Sequence, residues 1–211
     1  MKAKAKQGSI KEQVSDLKWK AVIDTAIELF HKNGYRGTSI DMIADELGVT
    51  KPFIYYRFKS KADLLTGVFA HAEEVVAKDA QKILQGPETP DVKYYNIVRQ
   101  FVETACEHWK LLSVFYNEEH NLPERKLGEV RRIRREWIKS IASLLEEGRN
   151  QGYFKFGDVE ITVNALMGMV IWIYQWMPNY KQKDHDFIAK ELTGCAMALV
   201  GSQSPARPGK R

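Results

Sequence analysis

The fold of this chain is decided by residues 38–65, which read TSIDMIADELGVTKPFIYYRFKSKADLL. The stretch predicts a short helix from Thr38, a tight turn at Gly48, a second short helix with two tyrosines, and a capped third helix. Ile54 and Phe58 lie four positions apart on the second helix, so both are expected to pack inward. This layout is typical of a helix-turn-helix, whose second helix enters a DNA groove.

The second helix of this stretch is expected to turn five large side chains mostly outward: Lys51, Phe53, Tyr55, Tyr56 and Arg57. Thr50 is a suitable cap, and Pro52 fits the first turn, where its missing N–H costs nothing. Large aromatic and basic side chains are poor choices for simple solvation, but they suit a DNA groove. For Phe53 an alternative stays open, in which the ring packs back against the first helix.

The remaining sequence predicts an all-α protein of about nine helices, because helical periodicity runs nearly throughout and no strand pattern is found. A basic flexible arm, a helix-turn-helix head, a helical ligand-binding and dimerisation body, and a disordered tail are predicted at residues 1–18, 19–65, 66–201 and 202–211. The fourth helix, from Lys61 to about Leu84, is expected to be the only covalent link between head and body.

Positive charge is concentrated toward the N-terminus. The chain has a formal net charge of +5, and residues 1–65 hold 12 Lys/Arg against 8 Asp/Glu. A basic head fits attraction to phosphates, although a solubilising surface would also explain it. The N-terminus lacks the apolar run of a signal peptide, and the most apolar segment, 165–174, is too short to span a bilayer. We therefore expect a cytoplasmic protein with no membrane partner.

The cysteines and titratable residues form no catalytic or metal-binding pattern. Cys106 and Cys195 lie far apart, each in an apolar helical stretch, and are expected to be buried, inert thiols. Glu118, Glu119 and His120 form a charged cluster, but no second group completes an acid/base or metal site. We therefore expect no enzymatic activity, no metal and no cofactor.

Residues 48–65, GVTKPFIYYRFKSKADLL, resemble the signature of TetR-type transcriptional repressors, and residues 26–39, AIELFHKNGYRGTS, match the same family's approach to that motif. The strong match covers residues 19 to about 69. The resemblance implies phosphate contacts by Thr50, Lys51, Tyr56 and Lys61, and base contacts by Pro52, Phe53 and Tyr55. Thr38, Ser39 and Arg57 complete the predicted DNA-binding residues.

Two positions depart from the commonest family pattern. Phe53 is usually small or polar, and Arg57 is often histidine. An aromatic ring at Phe53 suggests an apolar contact with a thymine methyl group. The guanidinium of Arg57 would either read guanine or add a contact to a phosphate.

The body resembles the dimerisation part of the same family, in which the last two helices pair with their symmetry mates. The helix predicted at 158–177 is apolar on almost every side, so most of its surface must be covered. The helix predicted at 185–201 carries small residues that permit close approach. The resemblance therefore implies a homodimer that binds double-stranded DNA at an inverted-repeat operator.

A hydrophobic effector is expected in the body, where an apolar pocket would suit it. Residues 166–178, LMGMVIWIYQWMP, resemble a subgroup that responds to acyl-CoA thioesters in fatty-acid or steroid breakdown. The predicted ligand contacts are Trp109, Tyr116, Arg131, Arg135, Trp137, Met167, Trp172 and Trp176. The arginine run at 131–135 would meet CoA phosphates or form a solvated helix face. The alternative function is a constitutive regulator whose body only dimerises.

Overall fold

The protein is described here by a computed structural model that covers residues 10–77, 80–181 and 184–202, in which every regular element is a helix. The α-helices are α1 (Ile10–Gly37), α2 (Ile40–Leu47), α3 (Lys51–Arg57), α4 (Lys61–Ala77), α5 (Ala80–Leu84), α6 (Pro90–Glu107), α7 (Trp109–Asn117), α8 (Glu124–Asn150), α9 (Val159–Ile171), α10 (Ile173–Trp176) and α11 (His185–Leu199). Short 3-10 helices occupy Glu119–Asn121 and Met177–Asn179. If α5 is counted with α4 and α10 with α9, the described residues hold nine α-helices, and the predicted all-α class is confirmed.

One predicted boundary differs from the structure. Helix α1 begins at Ile10, so the second half of the predicted flexible arm is helical, while residues 1–9 lie outside the described residues. The predicted fourth helix is helical over Lys61–Ala77 and Ala80–Leu84, and residues 78–79 between them lie outside the described residues. Residues 203–211 of the predicted tail also lie outside the described residues.

The chain forms two compact units. The first, the head, contains the described residues up to Ala70 together with the segment Val114–Pro123. The second, the body, contains His71–Ser113 and the described residues from Glu124 onward. The chain therefore passes between the units three times. The prediction that the fourth helix is their only covalent link is wrong, because the C-terminal part of α7 and the 3-10 helix after it belong to the head.

The core of the head is built from one apolar stripe on each helix. Its buried side chains are Val22, Ile23, Ala26, Ile27 and Phe30 on α1, Ile40, Ile43 and Ala44 on α2, Ile54 on α3, and Leu64, Leu65, Val68 and Phe69 on α4. Gly67 allows α4 to approach closely, since a Cβ atom there would stand 2.8 Å from the ring of Phe58. Removing this apolar surface from water stabilises the head and fixes which side of α3 faces outward.

The body is centred on α6 and α11, which pack along each other. Tyr94 of α6 is fully buried, its hydroxyl donates to the carbonyl of Ala196 at 3.2 Å, and burial raises its pKa far above the ordinary value. Arg99 joins the two helices at their exposed edge, with Nη2 2.8 Å from Asp186 and Nε 2.7 Å from Glu103. A buried hydrogen bond and an ion-pair network thus hold α6 against α11.

The two cysteines lie in different environments. Cys106 is buried as predicted, and burial raises the pKa of its thiol to about 11. Cys195 is exposed, so the prediction of a buried thiol is wrong at that position. The reason is its place on α11, because Thr193, Ala196 and Met197 face the core while Cys195 faces outward.

Candidate nucleic-acid interface

Helices α2 and α3 and the turn at Gly48 form the helix-turn-helix. Ser39 caps α2, and its Oγ accepts a hydrogen bond from the backbone N–H of Met42 at 3.1 Å. Gly48 ends α2 in the left-handed conformation with φ of 63°, which glycine adopts without steric cost. Helix α3 then begins at Lys51 with Pro52 in its first turn. Local sequence thus fixes both ends of the turn.

Helix α3 has a buried side and an exposed side. Ile54 is fully buried and Phe58, the C-cap residue, is 8% exposed, so the predicted inward pair is confirmed. Tyr56 is 86% exposed, an unusual state for a large aromatic side chain on a helix of two turns. The exposed residues of the helix are Lys51, Pro52, Tyr55, Tyr56 and Arg57. This side of α3 presents cationic groups and phenol hydroxyls together.

The ring of Phe53 stacks on Trp19 of α1, with ring centroids 4.9 Å apart and an interplanar angle of 20°. Trp19 also lies 6.4 Å from the ring of Tyr56 and edge-on to Phe58 at 6.2 Å. The structure thus has the alternative arrangement, in which Phe53 packs against the first helix, and the ring is half-exposed. A contact of Phe53 with a base stays a prediction. The contact of Trp19 with α3 was not predicted from the sequence.

The ammonium group of Lys61, at the start of α4, is held by the head itself. Its Nζ donates to the carbonyls of Tyr35 and Thr38, both at 2.8 Å, and lies 4.3 Å from the centroid of the Tyr35 ring. An ammonium group has three N–H donors, so one donor is left for a phosphate. Lys61 therefore ties α4 to residues 34–39. These are the last four residues of α1 and the two residues before α2, and we call them the α1–α2 connection.

Thr38 has an internal role that corrects its predicted contact with DNA. The residue is 2% exposed, and its hydroxyl lies 2.9 Å from the carbonyl of Gly34 and 3.0 Å from that of Leu29. Its hydrogen-bonding capacity is thus used inside the head. Helix α2 also begins later than predicted, because Ser39 and not Thr38 is the cap. Ser39 is half-exposed and stays a predicted DNA contact.

Two polar residues at the start of α3 are accessible. Lys51 Nζ lies 2.9 Å from a carboxylate oxygen of Asp41, and this hydrogen bond, with the negative charge, raises the pKa of Lys51. An ion pair between exposed side chains is weak, so a phosphate can replace the carboxylate at little cost. Thr50 precedes α3 in extended backbone but makes no side-chain capping bond. Its hydroxyl is therefore not committed to the helix end.

The predicted ligand residues do not converge on one site in the body. Trp137 and Met167 line an apolar cavity between α6, α8 and α9, with Ile97, Val98, Phe101, Ile141, Leu166 and Val170. Its volume of about 10 Å³ has room for one water molecule. Tyr116 belongs to the head, and Trp172, the C-cap residue of α9, is 60% exposed. Ile97 and Phe101 were not predicted to line this cavity, because their helical spacing is that of ordinary core residues.

The other predicted ligand residues lie away from this cavity's lining. Arg131 and Arg135 are exposed one turn apart on α8 and form no ion pair with any described residue. Trp109, at the start of α7, has Lys110 Nζ 5.6 Å from its ring. Trp176 packs edge-on against Tyr180 with centroids 5.4 Å apart. A CoA-phosphate contact at the arginines stays a prediction, and their full exposure fits the solvated helix face equally.

Helices α9 and α11 pack on each other and leave an apolar surface exposed. Ile161, Phe187 and Trp172 are 71%, 62% and 60% exposed. Gly168 of α9 and Gly194 of α11 have no atom within 4 Å of an added Cβ, so both backbones are open to close approach. Exposed large apolar side chains beside open helix backbones are typical of an interface with another macromolecule.

Neither a metal-holding cluster nor a membrane-spanning helix is found in the described ranges. No group of His, Cys, Asp and Glu there is placed to hold a metal ion, and no helix there is long and apolar enough to cross a membrane. In the cluster at 118–120, Glu118 accepts hydrogen bonds from the Tyr35 backbone and from Asn121, whose side chain also lies 3.0 Å from His120. The cluster thus forms contacts within the head.

The capped α2, the left-handed Gly48 and the exposed basic and aromatic side of α3 define the class of protein: a helix-turn-helix DNA-binding transcriptional regulator. Residues 22–68 match the family described as bacterial regulatory proteins, tetR family, and residues 87–200 match the tetracyclin repressor-like C-terminal domain. The chain belongs to the TetR family. This is a family of transcriptional regulators, not of enzymes.

Relatives and solved structures agree with this assignment. The chain is 24% identical over 171 residues to the fatty acid metabolism regulator protein of Bacillus subtilis (strain 168), which covers 79% of this chain and 87% of the relative. A bacterial regulatory protein in the tetR family from Rhodococcus RHA1 has a TM-score of 0.79 at 22% identity, over 87% of this chain and 97% of that one. AibR in complex with isovaleryl coenzyme A and operator DNA has a TM-score of 0.74 at 21% identity, over 84% and 96%. At these identities the structural likeness shows the fold.

Proposed function

We propose that this regulator is a homodimeric repressor that places α3 in the major groove of an inverted-repeat operator. The observation that carries the proposal is the two-sided nature of α3, with Ile54 buried and Tyr56 86% exposed. A major groove about 12 Å wide admits such a helix. The excess of Lys/Arg in residues 1–65 favours the approach of this unit to phosphates.

The exposed side chains of α3 have chemistry suited to both parts of DNA. The hydroxyl of Tyr56 donates to a phosphate, and Lys51 exchanges Asp41 for a phosphate. Pro52 and Tyr55 lie against base edges, and Arg57 reads guanine or adds a phosphate contact. The remaining phosphate contacts of the proposed interface are Ser39, Thr50 and the third N–H of Lys61.

The exposed surface of α9 and α11 is the proposed dimer interface, with a second copy of the chain as its occupant. The surface is apolar, and Gly168 and Gly194 leave room for a facing helix. Closed two-fold symmetry pairs the same patch on both subunits. It also gives the protein two copies of α3, which an inverted repeat with half-sites about 34–36 Å apart requires.

We propose a hydrophobic effector that binds in the body and releases the repressor, with an acyl-CoA thioester favoured. One relative is named a fatty acid metabolism regulator protein, and the AibR structure is a complex with isovaleryl coenzyme A and operator DNA. The apolar cavity beside Trp137 and Met167 is where an acyl chain would enter. To shift the repressor from almost fully bound to almost fully released, the effector must bind the released state more tightly than the DNA-bound state by about 5.5 kcal/mol. The effector must therefore be well buried.

A constitutive regulator is the second candidate, and the size of the cavity favours it. The cavity of about 10 Å³ is far smaller than ligand pockets, which hold about 300–1,000 Å³. An acyl chain would have to separate α8 or α9 from α6. If these helices stay closed, the body contributes only dimerisation.

The DNA assignment is tested with the full chain on a random double-stranded library. The selected sequence is expected to be an inverted repeat, and Tyr56→Phe is expected to bind it about tenfold more weakly, because one hydrogen bond to a charged phosphate is lost. Tyr180→Phe is the control, since Tyr180 is an exposed tyrosine of the body. Wild-type affinity for Tyr56→Phe would contradict the proposed contact.

The effector is tested by native mass spectrometry and by titration of the protein–operator complex with acyl-CoA thioesters of graded chain length. A bound thioester, and dissociation of the complex as it is added, would support the regulated repressor. A body without bound thioester, and a complex that no member of the series dissociates, would favour the constitutive candidate.

A further inference from the structure

The segment Val114–Pro123 reaches the head from far along the chain and packs on two of its helices. The ring of Phe115 stacks on Phe69 of α4, with centroids 4.7 Å apart and an interplanar angle of 28°. Glu118, directly after α7, reaches the end of α1, where its Oε1 accepts a hydrogen bond from the backbone N–H of Tyr35 at 3.1 Å. The two residues are 83 positions apart, so this is a tertiary contact within the head.

The carboxylate of Glu118 is held on both of its oxygens. Oε1 accepts from the Tyr35 N–H, and Oε2 accepts a hydrogen bond from Asn121 Nδ2 at 2.7 Å. The residue is half-buried. A carboxylate that accepts from a backbone N–H forms a charge-assisted bond, which is stronger than a neutral one. Glu118 is therefore a fixed structural acceptor and not a freely solvated charge.

The donor of this bond, the backbone N–H of Tyr35, lies in the α1–α2 connection, which is held by hydrogen bonds from two residues. Glu118 binds the Tyr35 N–H, and Lys61 of α4 binds the carbonyls of Tyr35 and Thr38. The last residue of the connection is Ser39, which caps the start of α2. The conformation of the connection therefore determines how the helix-turn-helix is placed relative to α1.

We propose that Glu118 is a positioning residue for operator binding, which acts through the Tyr35 N–H on the α1–α2 connection. Glu118 directly follows α7, whose residues from Val114 onward belong to the head together with α1 and α3. The proposal rests on the proposed DNA-binding role of α3. Glu118 itself makes no contact with DNA in this mechanism.

The test compares Glu118→Ala, Glu118→Gln and Glu124→Ala in the full chain. Glu118→Ala is expected to weaken binding to the selected operator about tenfold, because the positioning bond is lost. Glu118→Gln keeps an oxygen acceptor and is expected to stay within about twofold of wild type. Glu124→Ala removes the same charge from an exposed residue of α8 and is the matched control. Loss of a negative charge alone would strengthen DNA binding, so weaker binding cannot come from charge.

Amide hydrogen exchange at Tyr35 is the second measurement. Glu118→Ala is expected to speed exchange of this amide at least about tenfold, while Glu118→Gln and Glu124→Ala leave it near wild type. Operator affinity is measured at a temperature where circular dichroism shows every variant folded, so that a purely stabilising role would leave it unchanged.

The outcomes separate this inference from the DNA assignment. Wild-type operator affinity of folded Glu118→Ala overturns the positioning role, even if its melting temperature is lower. Unchanged exchange at Tyr35 in Glu118→Ala overturns the contact. If the wild-type chain selects no DNA sequence, the proposed function fails and the positioning role fails with it, whereas the exchange result still decides whether the contact exists.

Discussion

Two side chains outside α3 support the helix-turn-helix at the scale of single residues. Trp19 of α1 covers one face of Phe53, and Lys61 of α4 holds the α1–α2 connection through two carbonyls. Both belong to the same unit as α3. The placement of the exposed side of α3 thus depends on half-exposed residues of the neighbouring helices α1 and α4.

The stack of Trp19 on Phe53 predicts a measurable coupling between these residues. Trp19→Leu, Phe53→Leu and the double variant form a mutant cycle, and the interaction energy is expected to be about 0.5–1.5 kcal/mol. Urea unfolding followed by circular dichroism gives this energy, and operator affinity of the same variants shows whether the stack also positions α3. Additive effects on stability would show that the two rings do not support each other.

Lys61 is expected to serve both the head and DNA, and two readouts separate these roles. Lys61→Met removes two charged hydrogen bonds to carbonyls, which should lower stability by about 2 kcal/mol or more. It should also reduce the slope of log affinity against log salt concentration by about 0.9, which is the change expected when one phosphate contact is lost. Lys59→Met is the control, because Lys59 is exposed. An unchanged salt slope in Lys61→Met would restrict Lys61 to the head.

At the scale of elements, the ends of helices follow from local sequence. Ser60 Oγ accepts from the Asp63 N–H at 3.1 Å, and Asp158 caps α9 through the Ile161 N–H at 2.9 Å, and both residue types are preferred caps. The acceptor for the Tyr35 N–H could not be predicted, since Glu118 lies 83 residues away and periodicity records only which face of a helix is apolar. The same limit applies to Trp19, because the apolar spacing along α1 does not indicate that its ring contacts Phe53.

Replacement by alanine is expected to have opposite effects on stability at Gly48, in the turn between α2 and α3, and at Gly128, in α8. Gly48→Ala places a side chain at φ of 63°, which should destabilise the head by about 1–2 kcal/mol. Gly128→Ala, in exposed α8 with nothing within 4 Å of its Cβ, should stabilise the chain by up to about 1 kcal/mol. Thermal unfolding of the two variants checks this, and equal shifts in melting temperature would contradict the backbone explanation.

At the scale of the whole molecule, specificity requires two copies of α3. One helix of two turns contacts few base pairs, so a single half-site would give little discrimination. The proposed interface on α9 and α11 supplies the second copy, and its apolar residues explain why Ile161, Phe187 and Trp172 are exposed in one chain. Dimerisation and operator recognition are therefore expected to be lost together.

A charge at the centre of the proposed interface tests this linkage. Gly168→Glu places two carboxylates, one from each copy, between apolar helix faces, which should cost several kcal/mol and give a monomer in sedimentation velocity. Gly168 has no neighbour within 4 Å of its Cβ in a single chain, so the monomer itself should stay folded by circular dichroism. Operator affinity should fall by at least about a hundredfold, because each half-site is then bound alone. Gly128→Glu, the same substitution on exposed α8, should remain a dimer with wild-type affinity. A dimeric Gly168→Glu variant that binds the operator normally would place the interface elsewhere.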